Sequence, residues 1–279
     1  MTTSTATTGI GGILPDQYGP LIVQPVQAAS VAYAVATQLA TQSHEFHVPI
    51  VKTDAAAAWY AEGQDLNLAD GTYGELIATP AKVAGLTAVT RELAMDSNPA
   101  AAQIIGDGLA RSIAVQVDAA FFGSVAAPAP SGLGALVGVT DVPAGTAWTN
   151  VDAFIDAIYA AEAVGAGLTS WVANPADAKL LSKLKQASGS NVPLLQPDPT
   201  AATRRAIAGV PLYVSPAVTV GTVWGIPRDR VLVITREDVT LEVDRSVYFA
   251  SDKVAVKAVM RVAFAFPHPA AVTKIHLSA

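Results

Sequence analysis

The sequence predicts an α+β fold in which helices and strands are partly segregated along the chain. Three observations carry this. Ile105, Leu109, Ile113, Val117 and Phe121 recur every four residues and lay one continuous apolar stripe along a helix. From Val210 to the C-terminus, short apolar and alternating runs succeed one another, as strands do. Between residues 44 and 91, two extended segments flank a polar, glycine-containing middle, the pattern of a long hairpin.

Residues 1–12 are rich in Thr and Gly, show no apolar period and read as a mobile arm. Pro15, Pro20 and Pro25 follow, and Pro25 suits the first turn of a helix over residues 26–39. Residues 47–51 form a short strand, and residues 75–91 alternate as a second. Roughly 17 residues per arm at ~3.3 Å each would carry the hairpin out by about 55 Å. So long a hairpin has no sufficient core of its own and is expected to lie on something else. Asn98-Pro99 gives the striped helix an N-cap and a first-turn proline, and Gly123 closes it. About 24 residues make a rod of ~36 Å. Gly106 and Gly108 each weaken it by roughly 1 kcal/mol against Ala and mark a bend or a close contact.

Residues 124–148, rich in Ala, Pro and Gly, read as a linker. Thr149, with Asp152 three residues on, caps a second helix. Its faces are marked by Val151, Ile155, Ile158 and Ala161 or Glu162, and Gly165 ends it. Residues 170–173 are a buried strand. Asn174-Pro175 opens a third helix with Leu180, Leu181 and Leu184 inward, ending at Gly189. After a polar loop to Arg205, strands are expected at 210–214, 231–234, 239–243, 254–266 and 272–277. In the long one, Val254, Val256 and Ala258 alternate against Lys253 and Lys257.

A chain of 279 residues can bury a real core in one large or two modest domains. Hydrophobic residues make up 51% and charged residues 14%, less charge than a soluble monomer usually carries. No run of about 18 apolar residues spans a membrane. The excess points to burial against other chains, or to alanine richness alone. The chain has no cysteine, which excludes disulfides, thiol catalysis and thiolate metal sites. The N-terminus lacks the basic start and apolar core of a signal peptide, so the protein is expected to be made and used in a cytoplasm. Net charge is −6. The tightest basic groups, Arg204-Arg205 and Lys179, Lys183 and Lys185, are too sparse to grip DNA by its phosphates. The three lysines read as the solvated face of a helix.

The residues nominate no chemistry. His44 and His47 are three apart in a strand-like segment, where they face opposite ways, and no third metal ligand is evident. Gly132, Gly134 and Gly138 miss the dinucleotide spacing by one residue and no P-loop lysine follows, so that segment reads as a flexible linker. No serine stands in a G-x-S-x-G turn, and His268 and His276 have no evident acidic partner. No catalytic, metal or cofactor site is expected.

Four stretches carry a resemblance. Ala58-Trp59-Tyr60-Ala61-Glu62-Gly63 is similar to the Trp-x-x-Glu-Gly element on the extended loop of the tailed-bacteriophage major capsid family, whose fold is shared with encapsulins. Lys82, then Val89-Thr90-Arg91-Glu92-Leu93-Ala94-Met95-Asp96-Ser97, resembles the strand-to-helix junction before that family's spine helix. Trp171-Val-Ala-Asn174-Pro175, Leu184, Gly189, Pro193-Leu-Leu195 and residues 209–215 follow in family order. Residues 256–267, with Arg261, look like its closing peripheral strands. The order and spacing cover nearly the whole chain.

The resemblance implies a phage major-capsid fold of four parts. These are an N-terminal arm (1–43), an extended β-hairpin loop (44–86), a peripheral domain with the long spine helix (87–130 and 240–279) and a mixed axial domain (131–239). It implies a structural protein, not an enzyme, without cofactors. Hexamers and pentamers of it would form an icosahedral shell around the double-stranded DNA genome of a tailed phage, assembled in the host bacterial cytoplasm. Its partners would be copies of itself and separate scaffolding, portal and cement proteins. DNA would be enclosed without sequence-specific binding, and no membrane is involved. Some members carry a helical scaffolding segment before the arm; there is no room for one here, so scaffolding would be a separate protein or a removed segment. The alternative is an encapsulin-like compartment for cargo enzymes, whose docking groove is usually lined by an N-terminal helix, where this sequence is Thr/Gly-rich. The candidate assembly contacts are Trp59, Glu62, Gly63, Lys82, Arg91 and Glu92. Trp59 is a large apolar group with little local cover. Glu62 and Arg91 or Glu92 are candidates for charge pairs between subunits, with a local role for Glu62 equally open.

Overall fold

The computed structural model describes residues 29–60, 62–65, 70–90, 100–187, 189–195 and 205–278. The arm, the prolines at 15, 20 and 25, and the Asn98-Pro99 cap lie outside the described residues.

The helix expected over 26–39 is instead a short helix, α1 (Val31–Val35), followed by a strand, β1 (Thr37–Thr41). Ala36 turns extended (φ −106°, ψ 164°) and ends the helix. From Thr37 the chain pairs in parallel with β10 (Leu232–Tyr248), Thr37 opposite Leu232. β-Branched Val31, Val35 and Thr37 give the helix little intrinsic preference to set against that pairing. α1 has no cap from its own sequence. The Asp118 carboxylate supplies one, accepting from the Val31 and Ala32 amides at 3.1 Å each and from the Ser30 and Ser215 hydroxyls at 2.5 and 3.4 Å.

β1 edges a four-stranded sheet of order β1–β10–β11–β4, with β11 (Lys253–Ala265) and β4 (Ala81–Thr90) antiparallel to their neighbours. Against one face lies α2 (Ala100–Phe122), the striped helix, about 35 Å long at 1.5 Å per residue. Its Leu109, Ile113, Val117 and Phe121 are buried with Ala258, Met260, Val262 and Phe264 of β11. The Ile105 side chain lies outside the described residues. Phe121 meets Phe122 and Phe264 edge-on at 4.9 and 5.1 Å. Gly108 makes no close contact; the tight approach is at Gly85 of β4, where a Cβ would stand 2.9 Å from Leu109.

β11 does not keep a simple alternation. Beyond Ala258 both its faces are covered, the even positions by α2 and Ala263 and Ala265 by the hairpin. The two strands expected at 231–234 and 239–243 are one, β10. A register shift between Arg236 and Thr240 interrupts its pattern without ending it.

The hairpin is β2 (Phe46–Thr53) paired antiparallel with β3 (Thr72–Ala78). Its strands have eight and seven residues, not roughly seventeen. At Thr79-Pro80 the chain leaves β2, and β4 pairs with β11 instead. The base of the hairpin packs Phe46, Val48, Leu76 and Ala78 onto Leu39, Ile234, Ala263 and Ala265.

Residues 124–148 are no linker. Leu133 is buried in the α2 core, β5 (Thr140–Pro143) joins a second sheet and Trp148 is buried. The glycines read as flexible are close-packed: a Cβ on Gly132 would stand 1.9 Å from the Ala120 carbonyl oxygen, and one on Gly134 2.8 Å from that of Gly123.

The second sheet has order β5–β12–β9–β6–β8–β7, where β6 is Ser170–Ala173, β7 Ala206–Ile207, β8 Val210–Val214, β9 Thr222–Ile226 and β12 Thr273–His276. β9 was not expected from the sequence; it is buried at every position. One face of this sheet, with Val172, Trp224 and Ile226, shares the core of α2. The other, with Trp171, Leu212, Val223 and Ile275, carries two helices, α3 (Asp152–Ala163) and α4 (Pro175–Ser182).

α3 starts after Val151, not Thr149, because the Asn150 side chain turns back onto Asp152. It buries Ala153, Phe154, Ala157 and Ala161, while Ile155 points outward. Gly165, at φ +73°, follows its end. α4 has the expected cap, Asn174 Oδ1 accepting from the Ala176 amide at 3.0 Å. It ends at Ser182, not Gly189, because the chain folds back and the Leu194 amide bonds the Leu184 carbonyl at 2.7 Å. Leu181 is buried and Leu180 is exposed, against expectation.

Buried Tyr33 of α1 shares a 2.7 Å hydrogen bond with Thr235. Burial pushes its phenol up to about 12 despite that bond, against ~10 in an unfolded chain. The folded value is the higher one, so its contribution is complete below pH ~10 and is lost as pH rises through about 12. Urea midpoints at pH 9 and 11 are expected to fall less steeply in Tyr33→Phe than in the wild type; equal slopes would contradict this.

Candidate assembly surface

The hairpin has a sheltered and an open face. Phe46, Val48 and Ile50 are half-buried, as are Gly74 and Leu76 opposite them. The register sets His47 against Ile77, Pro49 against Glu75 and Val51 against Tyr73 on the other face, and all six are exposed. Five apolar or aromatic groups thus stand in water: Pro49, Val51, Tyr73 and Ile77 on the strands and Trp59 beyond them, fully exposed. A two-stranded ribbon cannot cover such a set, and a contiguous apolar patch on a projecting element marks a contact with another molecule. One ion pair crosses the open face, His47 Nδ1 to Glu75 Oε1 at 2.6 Å, with Glu45 at 3.8 Å from His47 Nε2.

Trp59, Glu62 and Gly63 fall together in the segment joining β2 to β3. Glu62 is exposed. Gly63 has φ +83° and nothing within 4 Å of a built Cβ, so backbone conformation and not crowding asks for glycine. Lys82 is elsewhere. It is exposed on β4, in register with Arg261 of β11, itself in register with Arg236 of β10. These three cations form one row across the sheet. The eight residues of β2, roughly 26 Å of strand, separate that row from the loop, so the structure does not unite the expected contacts in one site. Arg91 and Glu92 lie outside the described residues. Sequence reasoning missed Val51, Tyr73 and Ile77, because alternation alone does not say which face of a strand is covered.

Among the described residues no three His, Asp or Glu side chains gather as a metal site would require. His276 does have an acidic neighbour, Asp141 Oδ1 at 2.9 Å from its Nδ1, across the β12–β5 pairing. No described helix is long and apolar enough to cross a membrane.

A family model described as the phage capsid family matches residues 11–277. No curated protein matches the sequence. Among solved structures, the chain is similar to the capsid of an empty GTA particle, with 22% identity and TM-score 0.72 over 100% of this chain and 96% of that one. A structure from Microbacterium phage Oxtober96 aligns at 17% identity and TM-score 0.73, covering 90% of this chain and 91% of the other. One from Mycobacterium phage Adephagia aligns at 14% and 0.71, with the same coverage.

Proposed function

This chain belongs to the phage capsid family and is a major capsid protein, the structural subunit of an icosahedral shell; from that premise we propose that it assembles as hexamers and pentamers around double-stranded DNA. The observation that carries the assembly reading is the projecting hairpin. Its open face and joining loop expose Val51, Trp59, Tyr73 and Ile77, with nothing among the described residues to cover them. The natural cover is a neighbouring copy, and repeated around a shell the contact adds an interface at every subunit.

The four-part division is proposed with two adjustments that strand pairing favours. The extended loop is taken as 44–80, since β4 pairs with β11. Residues 273–276 go with the axial sheet, since β12 lies between β5 and β9. Net charge −6 suits a wall that encloses DNA without holding it. Scaffolding, portal and cement proteins are further proposed partners, and assembly in the host cytoplasm is part of the same reading. The test of the contents is nuclease treatment of particles from producing cells. Protected double-stranded DNA is expected, and particles filled with protein would favour the cargo compartment.

Trp59 is the proposed anchor of the loop, with Glu62 beside it and Lys82, Arg91 and Glu92 as separate charged contacts. Trp59→Ala is expected to leave the circular dichroism spectrum unchanged, because the side chain is fully exposed. It should cost each contact ~2 kcal/mol. Light scattering should then show assembly only at a concentration some thirtyfold higher. Normal assembly would remove Trp59 from the interface.

A further inference from the structure

The two helices on the outer side of the axial sheet present opposite charge. α3 turns Asp152, Ile155, Asp156, Tyr159 and Glu162 to solvent along one arc of the helix. α4 turns out Lys179 and Leu180, and Lys183, just past its end, is exposed beside them. Lys179 and Lys183, with Pro175, Ala178, Ser182, Arg205 and Val214, line a groove beside α4 that opens toward β8; Leu180 is outside this lining. Each surface mixes charge with exposed apolar area: Ile155 is 40% and Tyr159 67% exposed on one, Leu180 52% on the other. Among the described residues neither Lys179 nor Lys183 has an ion-pair partner, and neither has Asp156 or Glu162. The carboxylate of α4, Asp177, is turned inward, accepting from Trp148 Nε1 at 2.9 Å and the Gly221 amide at 2.8 Å, so it does not offset the lysines at the surface.

Their placement is the second observation. α3 packs on β5 and β12, at one end of the six-stranded sheet. The basic groove lies against β8, near the other end. Three to four strand spacings separate them, roughly 15–19 Å at ~4.8 Å each. A molecule with complementary surfaces at opposite ends of one layer joins head to tail, and such a heterologous contact closes into a ring when the rotation allows.

We propose that the acidic outer face of α3 docks into the basic groove beside α4 of the next copy, and that this contact sets subunits around the axis of a capsomer. The occupant of each surface is a second copy of this chain. Tyr159 and Ile155 meet the apolar lining of the groove, Pro175, Ala178 and Val214, and Asp156 and Glu162 meet Lys179 and Lys183 at its rim. The inference rests on the hexamer and pentamer reading above. Like charges brought together at an interface oppose it strongly, whereas a mutual swap restores complementarity.

Three variants test it: Asp156→Lys with Glu162→Lys, Lys179→Glu with Lys183→Glu, and the two pairs combined. All sites are exposed, so unchanged circular dichroism and thermal midpoints are expected and are checked first. At about 0.15 M salt, either pair alone is expected to cut shell yield at least about tenfold. The combined variant should regain most of it. Mixing the two single-face proteins should give rings in which they alternate, which close only with even numbers, so hexamers form and pentamers do not. Wild-type shells with no effect of either pair overturn the inference and leave the capsid reading standing, as does a combined variant no better than the single pairs. Failure of the wild type to form capsomers would overturn the underlying reading instead.

Discussion

Asp118→Ala is expected to lower the free energy of unfolding by about 3 kcal/mol or more, seen as a fall in the urea midpoint with an unchanged slope. The carboxylate is buried on α2 and joins three parts of the chain that are distant in sequence. It accepts from the hydroxyl of Ser30 and the amides of Val31 and Ala32, the first donors of α1, and from Ser215 just beyond β8. Truncation leaves these buried donors without an acceptor, each worth ~1 kcal/mol or more. Asp118→Asn keeps one acceptor oxygen and should cost about half as much. A loss below about 1 kcal/mol in the alanine variant would mean that α1 is held by Tyr33 and Val35 packing alone. The functional consequence follows from position. α1 and β1 fasten residues 31–41 to the sheet, so the variant should also expose residues 30–41 to hydrogen exchange before the rest unfolds.

Gly132→Ala is expected to cost about 3 kcal/mol or more and to reduce the yield of folded protein. The backbone at Gly132 (φ −99°, ψ −172°) is open to any residue, so conformation is not the obstacle. The obstacle is the C-terminal end of α2. A Cβ would stand 1.9, 2.6 and 2.8 Å from the carbonyl oxygens of Ala120, Phe121 and Gly123. All three are backbone atoms at the helix end, where Gly123 also accepts the amide of Gly134 at 3.1 Å. Nothing there can rotate away, so Leu133 would be lifted from the core it fills beside α2. Gly145→Ala, with φ +79° but open space around it, is the control and should cost only ~1 kcal/mol. Equal losses in the two would show that the close approach does not matter.

The parts of this fold legible in the sequence were those set by local periodicity and capping. The stripe from Leu109 to Phe121 is spaced for a helix whatever it packs on, and Asn174-Pro175 caps α4 as its residue types ask. The misreadings share one cause, that a local pattern does not name its partner. Alternation runs on across Thr79-Pro80 while the strand exchanges β2 for β11. Thr37 to Thr41 join a strand nearly two hundred residues away, which no helical period around them discloses. β9 is covered on both faces and so has no alternation to detect. Glycines 132 and 134 looked like freedom and are close packing. Trp59 stood out because a large aromatic after a run of four alanines has little local apolar bulk to bury it. The lysines of α4 were legible as a solvated face, but Leu180 was expected inward and is exposed, and the apolar spacing of α3 did not say that Ile155 faces solvent.

The most direct measurement is electron microscopy of the purified protein, concentrated under assembly conditions with whatever scaffold its producing cells supply. Closed shells with icosahedral symmetry, showing fivefold and sixfold clusters with a projecting hairpin laid over each neighbour, are the predicted result. A protein that remains a 28.6 kDa monomer throughout, with its hairpin exposed and no shells or capsomers, would contradict the account.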